Sequence, residues 1–360
     1  MSAKHKLKLT LRELYARTLF HTGLHALVDA LMPRRLTILA GHCVKPVRGD
    51  WPAGAHLPAD MWITDERLER VLSWFRGRYE FVTVGEGALK LDRGWSGKSL
   101  LALSLDDGYR DNARVLPAVL EKTGARATVY LESRPLDERK VNWSHKYFWC
   151  LERTSPFDFV HRFGACTRDQ ATFHSLNQIV AEGRGNELYH LKRILKYECE
   201  PSERDRSIDE VFAELGGDER ALCEQLYMSW DEARELAGRG VELGGHTAGH
   251  SILSKLDPAA QEREIESGAA SMREQLGTEI PSFAYPWGRR WDFDEHSRAA
   301  ARKSRFASAV TMHAGINGPR TDRFALRRLA IADDVRLHLL AAEACGGFEL
   351  LRKVGIDLSE

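Results

Sequence analysis

The sequence predicts an α/β fold built on a parallel sheet, and three observations carry that expectation. Short apolar runs alternate with helix-patterned segments along most of the 360 residues. The run from Leu100 to Leu105 stops abruptly in Asp106-Asp107-Gly108. This is turn chemistry at the carboxyl end of a buried strand, where α/β folds bind their ligands. About seven or eight such strands can be counted, which suits a closed barrel better than an open sheet. Periodicity alone does not separate the two.

The totals narrow the class. Lys plus Arg and Asp plus Glu both number 52, so no overall charge excess points to nucleic acid. Six cysteines (43, 150, 166, 199, 223 and 345) include no CxxC pair and read as free thiols of a reducing compartment. No run of about 18 apolar residues predicts a spanning helix. The basic stretch Met1 to Thr10 leads into a mixed rather than apolar segment, unlike a secretory signal. The expected location is cytoplasmic, with the inner-membrane surface as an option.

Residues 1–35 carry an amphipathic helix, with Leu11, Leu14, Tyr15, Leu19, Leu27, Val28 and Leu31 near helical spacing and Pro33 ending the pattern. It packs on the outside of the fold or, given Lys4, Lys6, Lys8, Arg34 and Arg35, lies on a membrane surface through residues 11–31. Leu36 to Gly41 is a strand closing on His42. Thr64 to Trp74 follows as a helix, Tyr79 to Val84 as a strand, Asn112 to Lys122 as a helix and Ala125 to Leu131 as a strand. Residues 134–228 lose the rhythm and are charged, helical and rich in aromatics, which reads as a helical insertion over one rim. The alternation then resumes with helix Asp231 to Gly238, strand Val241 to Gly244, helix Pro258 to Leu276 and strand Ser282 to Tyr285. Helix Phe293 to Lys303 and strands Phe306 to Val310 and Phe324 to Ile331 complete it. Residues 36–335 thus form one domain with its insertion, and 336–360 a C-terminal helix and tail.

Two places concentrate chemistry. Adjacent side chains on an extended segment point in different directions, so Asp106 and Asp107 can do two jobs, one holding a metal and one handling a proton. The plain alternative is a turn in which Asp107 or Asn112 caps the next helix. His246 and His250, four apart, share a face if their loop enters a helix, and both then reach one ion. A histidine-rich turn is the alternative. The segment has no thiolate and no HExxH pattern, so zinc-finger and metalloprotease-helix readings fail. Asp107 is the obvious third ligand. Two imidazoles and one carboxylate leave positions open for water and substrate, which is catalytic rather than structural in character. That donor set suits zinc first, with cobalt, nickel or manganese as options.

Ser104-Leu-Asp-Asp-Gly108 resembles the TFDDG motif of the NodB-homology polysaccharide deacetylases, carbohydrate esterase family 4. His246-Thr-Ala-Gly-His250 resembles that family's H-[ST]-x-x-H motif, and Phe283-Ala-Tyr-Pro-Trp-Gly288 its third motif in a variant without arginine. The resemblance implies a distorted (β/α) barrel of about seven strands that removes an acetyl (N-acyl) group from an N-acetylated sugar or polysaccharide. It implies Asp107, His246 and His250 as metal ligands and Asp106 as general base. Pro286 fixes its own φ and can aim the main-chain N–H of Trp287 at the oxyanion. Tyr285, Trp287 and Trp291 are candidate platforms for a sugar ring.

The sequence departs from the family pattern twice. No strand after the third motif ends in the expected acid histidine. His42 is the better candidate, resembling the permuted motif order of poly-β-1,6-N-acetylglucosamine deacetylases, and His313 the weaker. Arginine is also missing at position 284, where Arg328 either supplies the charge from another strand or forms a surface salt bridge. Two other functions remain open on this reading: a deformylase or deacetylase of a lipid-linked or nucleotide sugar, and a glycan-binding barrel without turnover.

Overall fold

The computed structural model describes residues 3–51, 57–183, 186–353, 355, 356 and 358. Residues 1 and 2, the side chain of Lys4, and positions 354, 357, 359 and 360 of the expected tail lie outside the described residues. Seven strands form the centre: β1 (Leu36–Gly41), β2 (Leu100–Leu105), β3 (Ala127–Leu131), β4 (Glu242–Gly245), β5 (Ser282–Ala284), β6 (Ser308–Ala314) and β7 (Leu326–Ala330). Each pairs in parallel with the next, and β7 returns to β1. The sheet is therefore a closed (β/α) barrel surrounded by helices. Closure is uneven. β1 and β2 are in register over six pairs, from Leu36↔Leu100 to Gly41↔Leu105, whereas β4 and β5 meet at Gly245↔Phe283 alone.

Side chains alternate across the barrel wall with a period of two. Leu36, Ile38, Leu100, Ala102, Tyr130, Ala284, Val310 and Leu326 pack with one another inside. Leu39, Leu101, Leu103, Leu105, Val129, Leu243, Phe283, Ala309 and Leu329 pack outward under the helices. The inward row consists of even-numbered positions, and β7 keeps that parity through a bulge between Leu326 and Arg328.

Several elements differ from the sequence expectation for local reasons. The N-terminal helix is two helices, Ala3–Thr22 and Leu24–Leu31, broken at Gly23 (φ 78°). They dock on the C-terminal helices Leu337–Ala344 and Gly347–Lys353 through Ala16, Leu19, Val28, Ala342, Cys345 and Phe348, with the Tyr15 hydroxyl donating to the Gly347 carbonyl (3.0 Å). The strand expected at 79–84 is only Glu80–Phe81, because Thr83 and Glu86 form a capping box that starts a helix at Val84. The helix expected at 112–122 is two short ones, Arg110–Arg114 and Leu116–Thr123.

Between β3 and β4 the described chain forms eight helices, from Ser133–Glu138 to Trp230–Gly238. The six from Trp143–Arg153 to Glu219–Leu226 share an apolar cluster that includes Trp143, Tyr147, Phe159, Phe163 and Leu195. The cluster reaches down to Cys43, Tyr109 and Trp287 at the carboxyl ends of the strands. The insertion therefore stands over the end of the barrel where its strands release their side chains.

Candidate active site

Extending the inward rows of β1, β2, β3, β4 and β7 past the apolar interior brings His42, Ser104, Asp106, Glu132, His246 and Arg328 to the same end of the barrel. Level pairing of Gly41 with Leu105, and the Asp106 N–H donating to the Gly41 carbonyl (3.0 Å), set His42 beside Asp106. Asp107 then departs from extended geometry with φ 74° and swings its carboxylate toward the imidazoles.

The imidazoles sit on a tight turn, not on the helix their spacing suggested. Residues 247–249 form the turn, and Thr247 (φ 64°) and His250 (φ 58°) are both left-handed. Neither Asp107 nor Asn112 caps the following helix, whose cap position is Tyr109. Asp107, Thr247, His250 and Trp287 (φ 63°) make up four of the seven non-glycine residues with positive φ among those described. Backbone strain is thus concentrated at one place, as it is at functional sites.

Asp107 Oδ1 lies 3.2 Å from His246 Nε2 and 3.4 Å from His250 Nε2. All three ligand atoms fall within 4.8 Å of one another and all three residues are buried. Despite these distances, Asp107 Oδ1 lacks a hydrogen-bond partner of acceptable geometry. Its lone pairs, like those of the two ring nitrogens, converge on shared space. His246 Nδ1 faces the Ala284 carbonyl at 2.7 Å, which fixes the proton there and leaves Nε2 as a donor atom for a cation. The set fits a divalent metal. Burial alone would raise the Asp107 carboxyl, but the two imidazoles hold it well below its usual range.

The turn is clamped from two sides. The Ala248 N–H donates to the Glu264 carbonyl (3.0 Å) and the Gly249 N–H to the Glu264 carboxylate (3.0 Å), both on the helix Pro258–Leu276. The Arg134 N–H donates to the Ala248 carbonyl (2.8 Å). Gly268 of the same helix lets the turn come this close, since a Cβ there would lie 2.7 Å from the Thr247 carbonyl carbon.

Asp106 is held by Arg328, with Nη1 donating to Oδ1 (2.7 Å) and Nη2 to Oδ2 (2.8 Å). Arg328 also donates from Nε to the Thr311 carbonyl (2.9 Å) and from Nη1 to Ser104 Oγ (3.2 Å). It is among the largest fully buried side chains and forms no surface salt bridge. Burial pushes the Asp106 carboxyl up, but the guanidinium outweighs it and holds the group below its usual range.

Trp287 stands at the edge of the triad, its ring 5.1 Å from that of His250 and stacked on Trp143 at 6.0 Å. Tyr285 does not reach the site. It has outward parity, its hydroxyl donates to the Phe324 carbonyl (3.1 Å), and its ring stacks on Phe293 at 4.1 Å. Its assignment as a sugar platform is therefore withdrawn. His313 also faces outward, 6.0 Å from Phe293, with Arg327 and Arg298 as its charged neighbours. Trp291 packs away from the triad against Tyr197, donating to its hydroxyl (2.7 Å).

Three residues near the site were not singled out from the sequence. Glu132 follows the inward Tyr130 by two and accepts hydrogen bonds from Asn142 at 3.1 and 3.3 Å. Burial, reinforced by the Asp107 charge, pushes its carboxyl well above the usual range. Lys192 and Lys196, on helix Glu187–Tyr197 of the insertion, place their ammonium groups 4.9 and 3.9 Å from the Trp287 ring. Counting in twos would have found Glu132. No local signal sets the lysines over the barrel.

Residues 170–308 match the family model for polysaccharide deacetylase. The matched segment contains both imidazoles and the Phe283–Gly288 stretch, whereas His42, Asp106, Asp107 and Arg328 lie outside it. Among solved structures, the Streptococcus pyogenes deacetylase PplD in complex with acetate has 16% identity and a TM-score of 0.55, over 87% of this chain and 99% of that one. IcaB from Ammonifex degensii has 18% identity and a TM-score of 0.54, over 87% and 98%. A de-N-acetylase from Aggregatibacter actinomycetemcomitans has 16% identity and a TM-score of 0.52, over 85% and 98%. At such identities the likeness is one of fold. No curated protein sequence matches the chain.

Proposed function

We propose that the protein is a metal-dependent hydrolase that removes an acetyl (N-acyl) group from an N-acetylated sugar. The observation that carries this reading is the convergence of Asp107, His246 and His250 beside a second carboxylate, Asp106, that Arg328 holds ionised. Asp107, His246 and His250 would hold a divalent cation; zinc is the first choice, and cobalt, nickel and manganese suit the same donors. When bound, such an ion polarises an amide carbonyl and makes water more acidic.

The chain's own residues divide the remaining work. Asp106 accepts the proton of the attacking water, and Arg328 fixes both of its oxygens toward the site. His42, on the neighbouring strand, donates a proton to the departing amine nitrogen, so that water and amide become free amine and acetate. The main-chain N–H of Trp287, aimed by its left-handed backbone, stabilises the oxyanion. Trp287, backed by the buried Trp143, provides an apolar wall for the sugar.

A pure glycan-binding barrel is the rival, and Asp106 disfavours it: binding alone gives no reason to bury a carboxylate and an arginine at the mouth. The deciding experiment compares wild type with Asp106→Asn on a panel of N-acyl sugars, reading loss of one acyl mass by mass spectrometry after metal is added back to chelated protein. Product from wild type that falls at least 100-fold in the variant supports hydrolysis. No product from any sugar, or equal product from both proteins, overturns it.

We also propose a cytoplasmic location at the membrane surface. Support comes from six free thiols and from Leu7, Leu11, Leu14, Leu24, Leu27 and Leu31, which stay exposed on the N-terminal helices near Lys6, Lys8 and Arg34. No helix of the described residues is long and apolar enough to cross a membrane. A membrane-presented or nucleotide-linked sugar is then the natural substrate form.

A further inference from the structure

Lys192 and Lys196 are one turn apart on the insertion helix Glu187–Tyr197 and converge on a single indole. The Lys196 ammonium lies 3.9 Å from the Trp287 ring and is paired with the buried Asp292 at 3.2 Å. The Lys192 ammonium lies 4.9 Å from the same ring and 4.4 Å from that of Phe148. Among the described residues it has no carboxylate at ion-pair distance. The charges around it are Asp60 on the exposed side, Asp107 in the triad and Arg289. Asp107 is engaged by the two imidazoles, and Asp292 is already shared by Lys196, the Tyr197 hydroxyl (2.9 Å) and the Arg289 N–H (2.9 Å). Lys192 is thus left without a partner carboxylate at the wall of the site, beside the paired Lys196 and the exposed Arg289.

A largely buried ammonium without a counterion is costly. Burial lowers Lys192 to about 8 and Lys196 to about 7. The indole they share is edge-on to His250 at 5.1 Å, so the cluster is a sugar's breadth from the ion site. An anion on the ring carbon next to the acetamido-bearing carbon would meet the lysines while the amide meets the triad. A compact dianion with several acceptors suits flexible ammonium groups best.

We propose that the sugar acted on carries a phosphate ester, held by Lys192 with Lys196 and Arg289 beside it. The proposal rests on the deacetylase reading for the placement of the amide, but the anion site itself does not require turnover. Its test uses the full chain as wild type, Lys192→Met, which keeps the apolar stem, and Lys192→Arg, which keeps the charge. The probes are N-acetylglucosamine, its 1-phosphate, its nucleoside-diphosphate form and a polyprenyl-diphosphate form in micelles. Binding is read by quenching of tryptophan fluorescence and hydrolysis by acetate release.

Wild type is expected to bind at least one phosphate form 10-fold or more tighter than the neutral sugar. Lys192→Met should lose most of that preference, and Lys192→Arg should retain it. The tightest of the three phosphate forms identifies the source. Equal binding of neutral and phosphorylated sugars by wild type, or a preference that survives Lys192→Met, overturns the proposal. A lysine-dependent preference without acetate release would instead leave the anion site standing and remove the hydrolase reading.

Discussion

Arg328 and Asp106 meet through two parallel hydrogen bonds of 2.7 and 2.8 Å inside the barrel mouth, with neither side chain open to solvent. The guanidinium comes from β7, opposite the bulge of β6, and the carboxylate from the end of β2. Removing the arginine leaves a buried carboxylate without a partner, a change that costs about 3–5 kcal/mol. Arg328→Met should therefore lower the urea midpoint sharply and, by letting Asp106 take up a proton, reduce kcat more than it raises KM. Arg328→Lys should recover part of the stability but not the two-point grip. A variant as stable and active as wild type would remove Arg328 from the site.

Metal content gives a second check. Wild type should bind one divalent ion per chain by elemental analysis, and the double variant His246→Ala/His250→Ala should bind less than a tenth of that. Chelation should abolish hydrolysis while leaving far-ultraviolet circular dichroism unchanged, because the triad sits on a turn already clamped by Glu264 and Arg134. Unfolding on chelation would make the ion structural.

Gly268→Ala tests the clamp without touching a ligand. Its Cβ would stand 2.7 Å from the Thr247 carbonyl carbon, so helix or turn must move. Overpacking of this kind costs about 1–3 kcal/mol. The expected outcome is a lower melting temperature together with metal affinity weakened about 10-fold or more. Unaltered affinity would show that the ion tolerates movement of the turn.

Asp111 sets a pH dependence. Burial raises its carboxyl to about 7, although the Trp51 indole donates to it at 2.9 Å. The folded protein therefore keeps the acid protonated at pH values where the unfolded chain has released it. That contribution to stability is intact below about pH 4 and is lost as pH rises to about 7. Asp111→Asn should thus be more stable than wild type at pH 8 and lose the advantage at pH 4, read as the difference in urea unfolding between the two proteins. An advantage independent of pH would contradict the assignment.

The exposed leucines of the N-terminal helices give a physical test of location. Full-length protein should sediment with vesicles containing anionic lipid, and Leu11→Ser/Leu14→Ser should sediment at least 10-fold less, since each buried leucine contributes roughly 1.5–3 kcal/mol. Equal sedimentation would leave these leucines without a membrane role.

Most of the fold and the core of the site could be read from residue patterns. Strand ends carrying Asp106-Asp107 and His246 were visible because apolar runs stop there, and alternation by twos separates Asp106 and Arg328, which face in, from Tyr285 and His313, which face out. Motif position alone does not place Tyr285, whose outward parity turns its ring onto Phe293. Spacing alone leaves open whether 246–250 is a helix or a turn, because it cannot register the left-handed Thr247 and His250. Lys192 and Lys196 were out of reach for a different reason. Their place depends on how the six helices from Trp143–Arg153 to Glu219–Leu226 pack over the rim, and no short-range pattern encodes that.

The insertion that carries those lysines enters after β3 and leaves before β4, while the triad and Asp106 stand on the barrel itself. On the proposed reading, the residues assigned to hydrolysis and the two lysines assigned to the anion lie in separate stretches of chain. A graft of residues 133–228 onto another barrel of this topology is expected to carry the proposed preference for a phosphorylated sugar with it, leaving the triad and Asp106 in place beneath.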